Sequence, residues 1–566
     1  MQFRQILQHY WGYPDFRGIQ REIIESIAQG KDTLGLMPTG GGKSITFQVP
    51  ALAREGLCIV VTPLIALMKD QVENLRRRNI PAAAVYAGQS AAEIGRIYDN
   101  AIFDAYKFLY VSPERLASPL FLNKVTRMKV SLLTVDEAHC ISQWGYDFRP
   151  QYLKIADIRQ KFPEVPVLAL TATATTEVID DIQDKLGFRA KNVFRMSFER
   201  TNLRYVVRKT DDKEKEMLHI LRSVPGSAIV YVRSRRRTEE YARMLREEGI
   251  STFDYHAGMT AINKDLRQKA WQDDEVRVMV ATNAFGMGID KPDVRLVIHM
   301  DVPESIEAYF QEAGRGGRDG GVAYAVLLCD RYDARRLQQH VSQAYPDREY
   351  IRKVYADLSS FYQIAEGEGQ GFTFDFYIER FCRVFHHHPA HLIGALELLT
   401  RAGYIHFSTE DENSSRVMFL VTRDELYGVG DLTPADDLLL SAMMRTSGAF
   451  FADYITIRED ELAEVCHTTP QLIYEQLLRL TRHRILHYVP HKTCPQITYI
   501  DRRIDERYIE IPRDIYEVRR DQCLKRVQAM IHYFSNDEEC RSRTLLHYFS
   551  DDGPDCGHCD VCLSFK

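Results

Sequence analysis

The chain has 566 residues, 45% hydrophobic and 27% charged, with a formal net charge of −6. That length exceeds one core, so three or four domains of about 100–200 residues are expected, and no apolar run approaches the ~18–20 residues that span a bilayer. No secretory h-region follows Met1 and seven of the eleven cysteines stand alone, so a cytoplasmic protein in a reducing compartment, with no membrane partner, is expected. The negative balance does not exclude nucleic acid, because phosphates are held by local basic grooves.

In chain order, residues 34–37 read as an apolar strand that runs into Pro38-Thr39-Gly40-Gly41-Gly42-Lys43-Ser44. Glycines let backbone N–H groups close around phosphate oxygens at a helix N-terminus. Thr39, Gly40, Gly41, Gly42, Lys43 and Ser44 are therefore expected to hold a nucleotide. Lys43 would reach the β- and γ-phosphates and Ser44 a Mg²⁺ ion. Met37 stands where the strict phosphate-loop pattern has its first glycine. The run 130–135 reads as a buried parallel strand ending in Asp136-Glu137-Ala138-His139. Asp136 is placed to coordinate Mg²⁺, and Glu137 to orient and deprotonate water. Trp144, Tyr146, Phe148 and Arg149 follow within six residues. Such faces on an exposed loop stack on unpaired bases; an aromatic staple holding the loop to its own lobe is the rival reading.

Further apolar strands at 57–62, 108–112, 167–171, 228–232, 276–281, 295–300 and 323–328 alternate with helical stretches. Doubly wound parallel sheets follow, too many strands for one sheet, with residues 197–203 between two α/β lobes. Arg233-Ser234-Arg235-Arg236-Arg237 opens a helix and suits either a phosphate contact or a solvated basic face. The turn 281–290, containing Thr282 and Asp290, is expected to couple nucleotide to track. Within 311–320, Arg315 and Arg318 lie among glycines, where guanidinium forks approach phosphate closely. They are the arginine-finger candidates, completing the site from the second lobe with Gln311.

The stretch 389–401 aligns with 470–482 at an offset of 81 residues. Each copy reads as an amphipathic helix followed by two short strands, 404–408 and 416–421, then 485–489 and 496–500. A helix followed by its own two-stranded ribbon is a winged-helix pattern. The cluster His386, His387, His388 and His391 is expected on the surface at a helix start, and Arg479, Arg482 and Arg484 as modest basic groups. Finally, Cys540, Cys556, Cys559 and Cys562 suit one structural, tetrahedral Zn²⁺. Disulfides and an iron–sulfur cluster are the rivals that spacing leaves open.

These motifs resemble the RecQ family of superfamily 2 DNA helicases, over residues 1–340 and again at 520–562. The resemblance rests on Tyr13, residues 16–20, 62–71, 112–116 and 169–174, and above all on Cys140-Ile141-Ser142-Gln143-Trp144-Gly145-Tyr146-Asp147-Phe148-Arg149-Pro150. It implies Tyr13 and Arg17 flanking adenine, with Gln20 on the base edge and Asp290 in the nucleotide set. It implies DNA contacts from Thr62, Trp144, Phe148, Arg149, Ser234 and Thr282. Gly18-Ile19 replaces the family's Pro-Gly and Arg233 its asparagine. About 180 residues separate lobe 2 from the zinc module, where the family has a short connection. In many members a winged helix follows that module; here the sequence ends four residues past Cys562, and the insert, with its modest basic content, suits either the duplex-binding surface or interdomain packing.

The expected architecture is α/β: two RecA-like lobes (1–205 and 206–344), two tandem winged-helix-like units (345–428 and 429–508) and a helical hairpin with a four-cysteine zinc module (509–566). The expected activity is an ATP-dependent DNA helicase, translocating 3′ to 5′ on single-stranded DNA and unwinding forked or tailed duplexes in recombination and repair. Its cofactors would be ATP, Mg²⁺ and Zn²⁺, and a monomer is expected. The alternative is a nucleic-acid-stimulated translocase that separates no duplex.

Overall fold

The structure is a computed structural model. It describes residues 3–38, 40–86, 89, 91–145, 147–259, 261–286, 291–408, 415–421, 432–446, 450, 455–457, 459–490 and 494–564. Thr39, Tyr146 and Asp290, all singled out above, lie outside the described residues. The chain forms two compact units, residues 1–89, 95–337 and 525–566 in one, 90–94 and 338–524 in the other. No helix among the described residues is long and apolar enough to cross a membrane.

In the first unit, short uninterrupted apolar runs become strands buried on both faces, as parallel sheets flanked by helices require. The lobe 1 strands are β1 (Thr33–Leu36), β2 (Leu57–Val61), β3 (Ala82–Val85), β4 (Phe108–Val111), β5 (Val130–Val135), β6 (Val167–Thr171) and β7 (Val193–Arg195). Their order is β3-β4-β2-β5-β6-β1-β7, every pair parallel. Ile23, Met37, Phe47, Phe108 and Leu170 share the core on one face. Because β5, β6 and β1 are adjacent, their carboxyl ends deliver Asp136, Thr171 and the phosphate loop to one edge.

Lobe 2 repeats the plan with β8 (Leu203–Lys209), β9 (Ser227–Tyr231), β10 (Thr252–Tyr255), β11 (Val278–Ala281), β12 (Val294–His299) and β13 (Ala323–Cys329). The order is β10-β11-β9-β12-β13-β8, again all parallel. Leu203 pairs with Ala323, so β8 belongs wholly to lobe 2 and begins before the boundary expected at residue 205.

The second unit departs most from the sequence reading. Helices Pro389–Arg401 and Pro470–Arg482 form as expected, but the ribbons do not. Its strands are β14 (Thr373–Asp375), β15 (Ile405–Ser408), β16 (Arg416–Phe419), β17 (Ile455–Thr456), β18 (Leu486–Val489) and β19 (Gln496–Tyr499). They make two three-stranded sheets, β14-β19-β15 and β17-β16-β18. Thus β15 pairs with β19, Ser408 opposite Gln496, while β16 pairs with β18, Arg416 opposite Val489. The boundary expected at 428/429 therefore separates nothing. One winged helix comprises helices Arg348–Phe361, Ile378–Phe385 and Pro389–Arg401 with β14, β15 and β19. The other, residues 415–490, is inserted between the two strands of the first one's wing. In the inserted domain β16 is the middle strand yet precedes the helices Pro434–Thr446, Glu459–Val465 and Pro470–Arg482, a circular permutation of the order in its host.

Each domain has its own core, Leu392, Leu396, Ile497 and Tyr499 in the host, Leu439, Met443, Ile473 and Leu477 in the insert. Ile509, Ile511 and Tyr516 also pack in the host core, so residues read as the start of the zinc module belong here. His387, expected on the surface, is buried: its Nε2 bonds Asp357 at 2.8 Å and its ring stacks on Phe381.

Candidate functional site

Lys43 opens the helix Lys43–Leu52 directly after Gly42, whose φ of 74° only glycine adopts without strain. A Cβ there would also stand 2.4 Å from the Gln20 amide nitrogen. Gln20 is buried and fully engaged, its Nε2 donating to the Gly41 and Gly42 carbonyls at 3.2 and 3.1 Å, its Oε1 accepting from Arg17 N–H at 2.9 Å. The residue expected on the base edge thus also fixes the phosphate loop. Beside it the Arg17 guanidinium lies 5.4 Å from the centroid of the exposed Tyr13 ring.

At the end of β5, half-buried Asp136 and buried Glu137 form an acidic pair. Asp136 accepts from Glu137 N–H at 3.0 Å; burial, then the neighbouring carboxylate, push it up to about 6 against the pull of Lys43. Glu137, in the left-handed region at φ 47°, has its Oε1 3.7 Å from Lys43 Nζ and its Oε2 3.4 Å from His139 Nδ1. Burial works to raise its carboxyl, but Lys43, His139 and Arg315 together hold it below the ordinary value. His139 bonds Thr171 at the end of β6 at 2.9 Å. Burial holds the His139 imidazole below its usual range despite Glu137.

Gln311, Arg315 and Arg318 of lobe 2 line the same cavity of about 500 Å³ as the phosphate loop and the acidic pair. A Cβ on Gly40 would lie 3.6 Å from Arg318 Cγ, which places the arginine stem against the phosphate loop. Arg315 is 3% exposed, and its buried Nε has no hydrogen-bond partner, a donor open to a phosphate oxygen. Sequence reading missed what holds these arginines. Arg200 donates to the carbonyls of Gly314, Gly316 and Gly317 at 2.7–3.2 Å, and Asn202 to those of Gly317 and Gly321 at 2.6 and 2.8 Å. Both come from the interlobe stretch 197–203, whose polar residues were the available signal.

The strand-binding candidates separate into two groups. Trp144 is 45% exposed and Ser234 is exposed, capping its helix by accepting from Arg237 N–H. Phe148 is half-buried under Lys185, and Arg149 is tied to Asp147 at 3.0 Å. Thr62 and Thr282, by contrast, are not surface groups. Thr62 is 1% exposed and lines the nucleotide cavity, because β2 neighbours β5 and ends beside Asp136. Thr282 is 6% exposed and accepts from Ala284 N–H in the turn after β11.

The sulfur atoms of Cys540, Cys556, Cys559 and Cys562 all lie within 4.8 Å of one another. A tetrahedral zinc with ~2.3 Å bonds needs sulfurs about 3.8 Å apart, and Cys540 and Cys559 are 3.9 Å apart. That spacing is far from a disulfide at ~2.05 Å. Backbone N–H groups of Cys556 and Cys562 point at the sulfurs of Cys540 and Cys559, at 3.2 and 3.4 Å, and favour the thiolate a metal needs. Buried Arg541, bound to Asp560 and the Tyr533 carbonyl, locks the two arms together.

Two parallel-sheet lobes with a phosphate loop on one and arginines from the other define the two-lobed RecA-like fold of the helicase class. The DEAD/DEAH box helicase family matches residues 17–182, the helicase conserved C-terminal domain 212–320, the RecQ helicase winged-helix domain of Bacteroidota 417–490 and the RecQ zinc-binding family 497–563. The chain is 43% identical over 332 residues to the ATP-dependent DNA helicase RecQ of Pasteurella multocida, covering 58% of the chain and 52% of that protein. It is 39% identical over 345 residues to the probable ATP-dependent DNA helicase RecS of Bacillus subtilis, covering 60% and 69%. Among solved structures, the DNA-bound DUF1998 helicase MrfA shares the fold at a TM-score of 0.51 and 16% identity, over 60% of this chain and 52% of that one. The chain belongs to the RecQ family. It spans about half the length of the Pasteurella and Haemophilus influenzae relatives, 52% and 54%.

Proposed function

We propose that the protein is an ATP-dependent DNA helicase that couples ATP hydrolysis to 3′–5′ translocation on single-stranded DNA and to duplex unwinding, in recombination and repair. The observation that carries the reading is the composite cavity, in which Arg315 and Arg318 of lobe 2 meet Lys43, Asp136 and Glu137 of lobe 1. Lys43 and the Gly40–Gly42 backbone hold the phosphates, Tyr13 and Arg17 flank the base, and Glu137 takes the proton of the attacking water. Asp136 and the Ser44 hydroxyl are hard oxygen donors of the kind Mg²⁺ prefers, and the ion would neutralise phosphate charge there. Gln311, Arg315 and Arg318 stabilise the charge that develops on the transferred phosphoryl group only when the lobes are closed. Trp144, together with Phe148 and Arg149 of the same loop, provides the stacking face for unpaired bases, and Ser234 a phosphate contact at its helix start.

A forked-duplex unwinding assay with ATP, beside ATPase titrations with single-stranded DNA and RNA, tests the whole reading. Strand release that needs a 3′ tail, with hydrolysis stimulated by DNA, is expected. Hydrolysis without strand release would instead identify a translocase, and no hydrolysis would overturn the motor.

A further inference from the structure

Arg526, in the helix Glu517–Ser535 that leads into the zinc module, matches no motif above. Its Nη2 donates to the backbone carbonyl of Trp144 in the aromatic loop of lobe 1. Its Nε lies 3.6 Å from Oε1 of Glu307, in the first turn of the helix Ile306–Ala313 of lobe 2. That helix carries Gln311. Glu307 is 6% exposed, and the same Oε1 accepts from the Tyr548 hydroxyl of the zinc module at 2.9 Å. Burial pushes the Tyr548 phenol up, keeping it a donor. Phe549 of the module packs against Phe310 of the same helix and Phe198 of the interlobe stretch, at ring distances of 5.1 and 5.2 Å. One guanidinium therefore joins the proposed single-strand contact, the helix bearing Gln311 and the zinc module.

We propose that Arg526 is a positioning residue that latches the aromatic loop to the lobe 2 helix, so that hydrolysis stays slow until a single strand stacks on Trp144 and draws the loop away. The latch grips the Trp144 backbone and leaves the indole exposed, which is the arrangement a strand-released catch requires. Glu307 keeps the guanidinium near lobe 2 by charge: at 3.6 Å the two share no hydrogen bond, but the carboxylate attracts the cation in a half-buried setting where the neutral carbonyl carries no net charge, so Arg526 remains with lobe 2 when the loop departs. The inference rests on the reading of Trp144 as the strand contact.

The test compares wild type with Arg526→Met and Glu307→Gln, with zinc content and thermal unfolding measured on each. For Arg526→Met, ATP hydrolysis without DNA is expected to rise about tenfold, the scale of one charge-assisted hydrogen bond. The oligo(dT) concentration giving half-maximal stimulation should fall, while the rate at saturating oligo(dT) stays at the wild-type value. Glu307→Gln should move the DNA-free rate in the same direction by less, and the double variant should not exceed Arg526→Met. An unchanged DNA-free rate in both variants, or a fall in the saturated rate, would overturn the latch. If Arg526→Met loses zinc, Glu307→Gln carries the test. Trp144→Ala keeps the carbonyl and so separates the two readings. Stimulation surviving Trp144→Ala removes the strand contact itself, whereas stimulation lost there with no change in the Arg526 variant removes the latch alone.

Discussion

Asp32 sits at the amino end of β1, 3% exposed, with both carboxylate oxygens satisfied. It accepts from Arg159 Nη2 at 3.2 Å, Arg189 Nε at 3.0 Å and the N–H groups of Val167 and Arg189 at 3.0 Å each. Those partners belong to the helix Lys154–Lys161, β6 and the approach to β7, so one charge ties down the edge of the sheet opposite the nucleotide cavity. Burial opposes ionisation, but the Arg189 bonds and the two N–H donors outweigh it and hold the carboxyl below its ordinary value. A depressed pKa contributes stability above the unfolded value of ~3.9, lost as pH falls through the lower folded value. Lobe 1 of Asp32→Asn should therefore be less stable at neutral pH and lose less of its stability below about pH 4 than wild type does. Asp32→Ala, which leaves Arg159 buried without a counter-charge, should cost about 3–5 kcal/mol. Denaturant unfolding followed by hydrogen exchange in β1 and β6 checks both; an equal acid slope in Asp32→Asn would remove Asp32 as its source. None of this was legible in the sequence. Asp32 lies in no motif, and its partners are more than a hundred residues away. The phosphate loop and Asp136-Glu137 were legible because their chemistry is local, a glycine turn and a strand end. The burial of Thr62 and Thr282 was not legible for the converse reason, since a motif position does not reveal which face of a strand end it occupies.

At the scale of elements, the repeated helices appear where periodicity puts them, 389–401 and 470–482, because amphipathicity is set by neighbours three and four residues apart. Strand partners carry no such local mark. Residues 405–408, 416–419, 486–489 and 496–499 are alike in length and alternation, and nearest-neighbour pairing was the natural assumption. The nested arrangement wins because each core needs its own middle strand: Ile497 and Tyr499 fill the host core, Val417 and Phe419 that of the insert. Since Ser408 lies opposite Gln496 and Arg416 opposite Val489, both junctions are hairpin-narrow. Replacing residues 409–495 by a two-residue Asn-Gly turn, the favoured tight hairpin, should leave the host winged helix folded, and residues 415–490 alone should fold as an independent domain. Dispersed amide spectra and cooperative melting of the isolated piece are the readout. A non-cooperative melt of residues 415–490 would mean the two cores are not separable.

At the scale of the first unit, the zinc module works through the surfaces it touches. Cys540 caps the helix Arg541–Tyr548, the chain then reaches Phe549, and Phe549 packs between Phe198 and Phe310. Asp551 accepts from Ser197 Oγ and Phe198 N–H at 2.9 Å each, and Lys209 at the end of β8 pairs with Asp537. The module thus fixes the interlobe stretch whose Arg200 and Asn202 hold the arginine loop. A structural four-cysteine site contributes binding energy of about 10–16 kcal/mol to the fold around it, and the apolar cluster at the cysteines is small, Cys540, Cys559 and Val561, while Leu545, Leu546 and Phe549 are buried elsewhere in the module. Zinc removal should therefore unfold residues 536–564 first and free the arginine loop, while the lobe 1 sheet, with its own core, remains. The expected result for a chelated protein, or for Cys559→Ser, is two separated thermal transitions in place of one for the first unit. Hydrolysis should fall by at least about a hundredfold, the order of loss when one preorganised charge-stabilising donor is misplaced, whereas binding of a fluorescent ATP analogue, which the proposed site assigns to Tyr13, Gln20 and Lys43, should persist within a few-fold. Loss of nucleotide binding in step with hydrolysis would show that the module supports lobe 1 as well, and full hydrolysis by a zinc-free protein would show that the arginines are held by Arg200 and Asn202 without it.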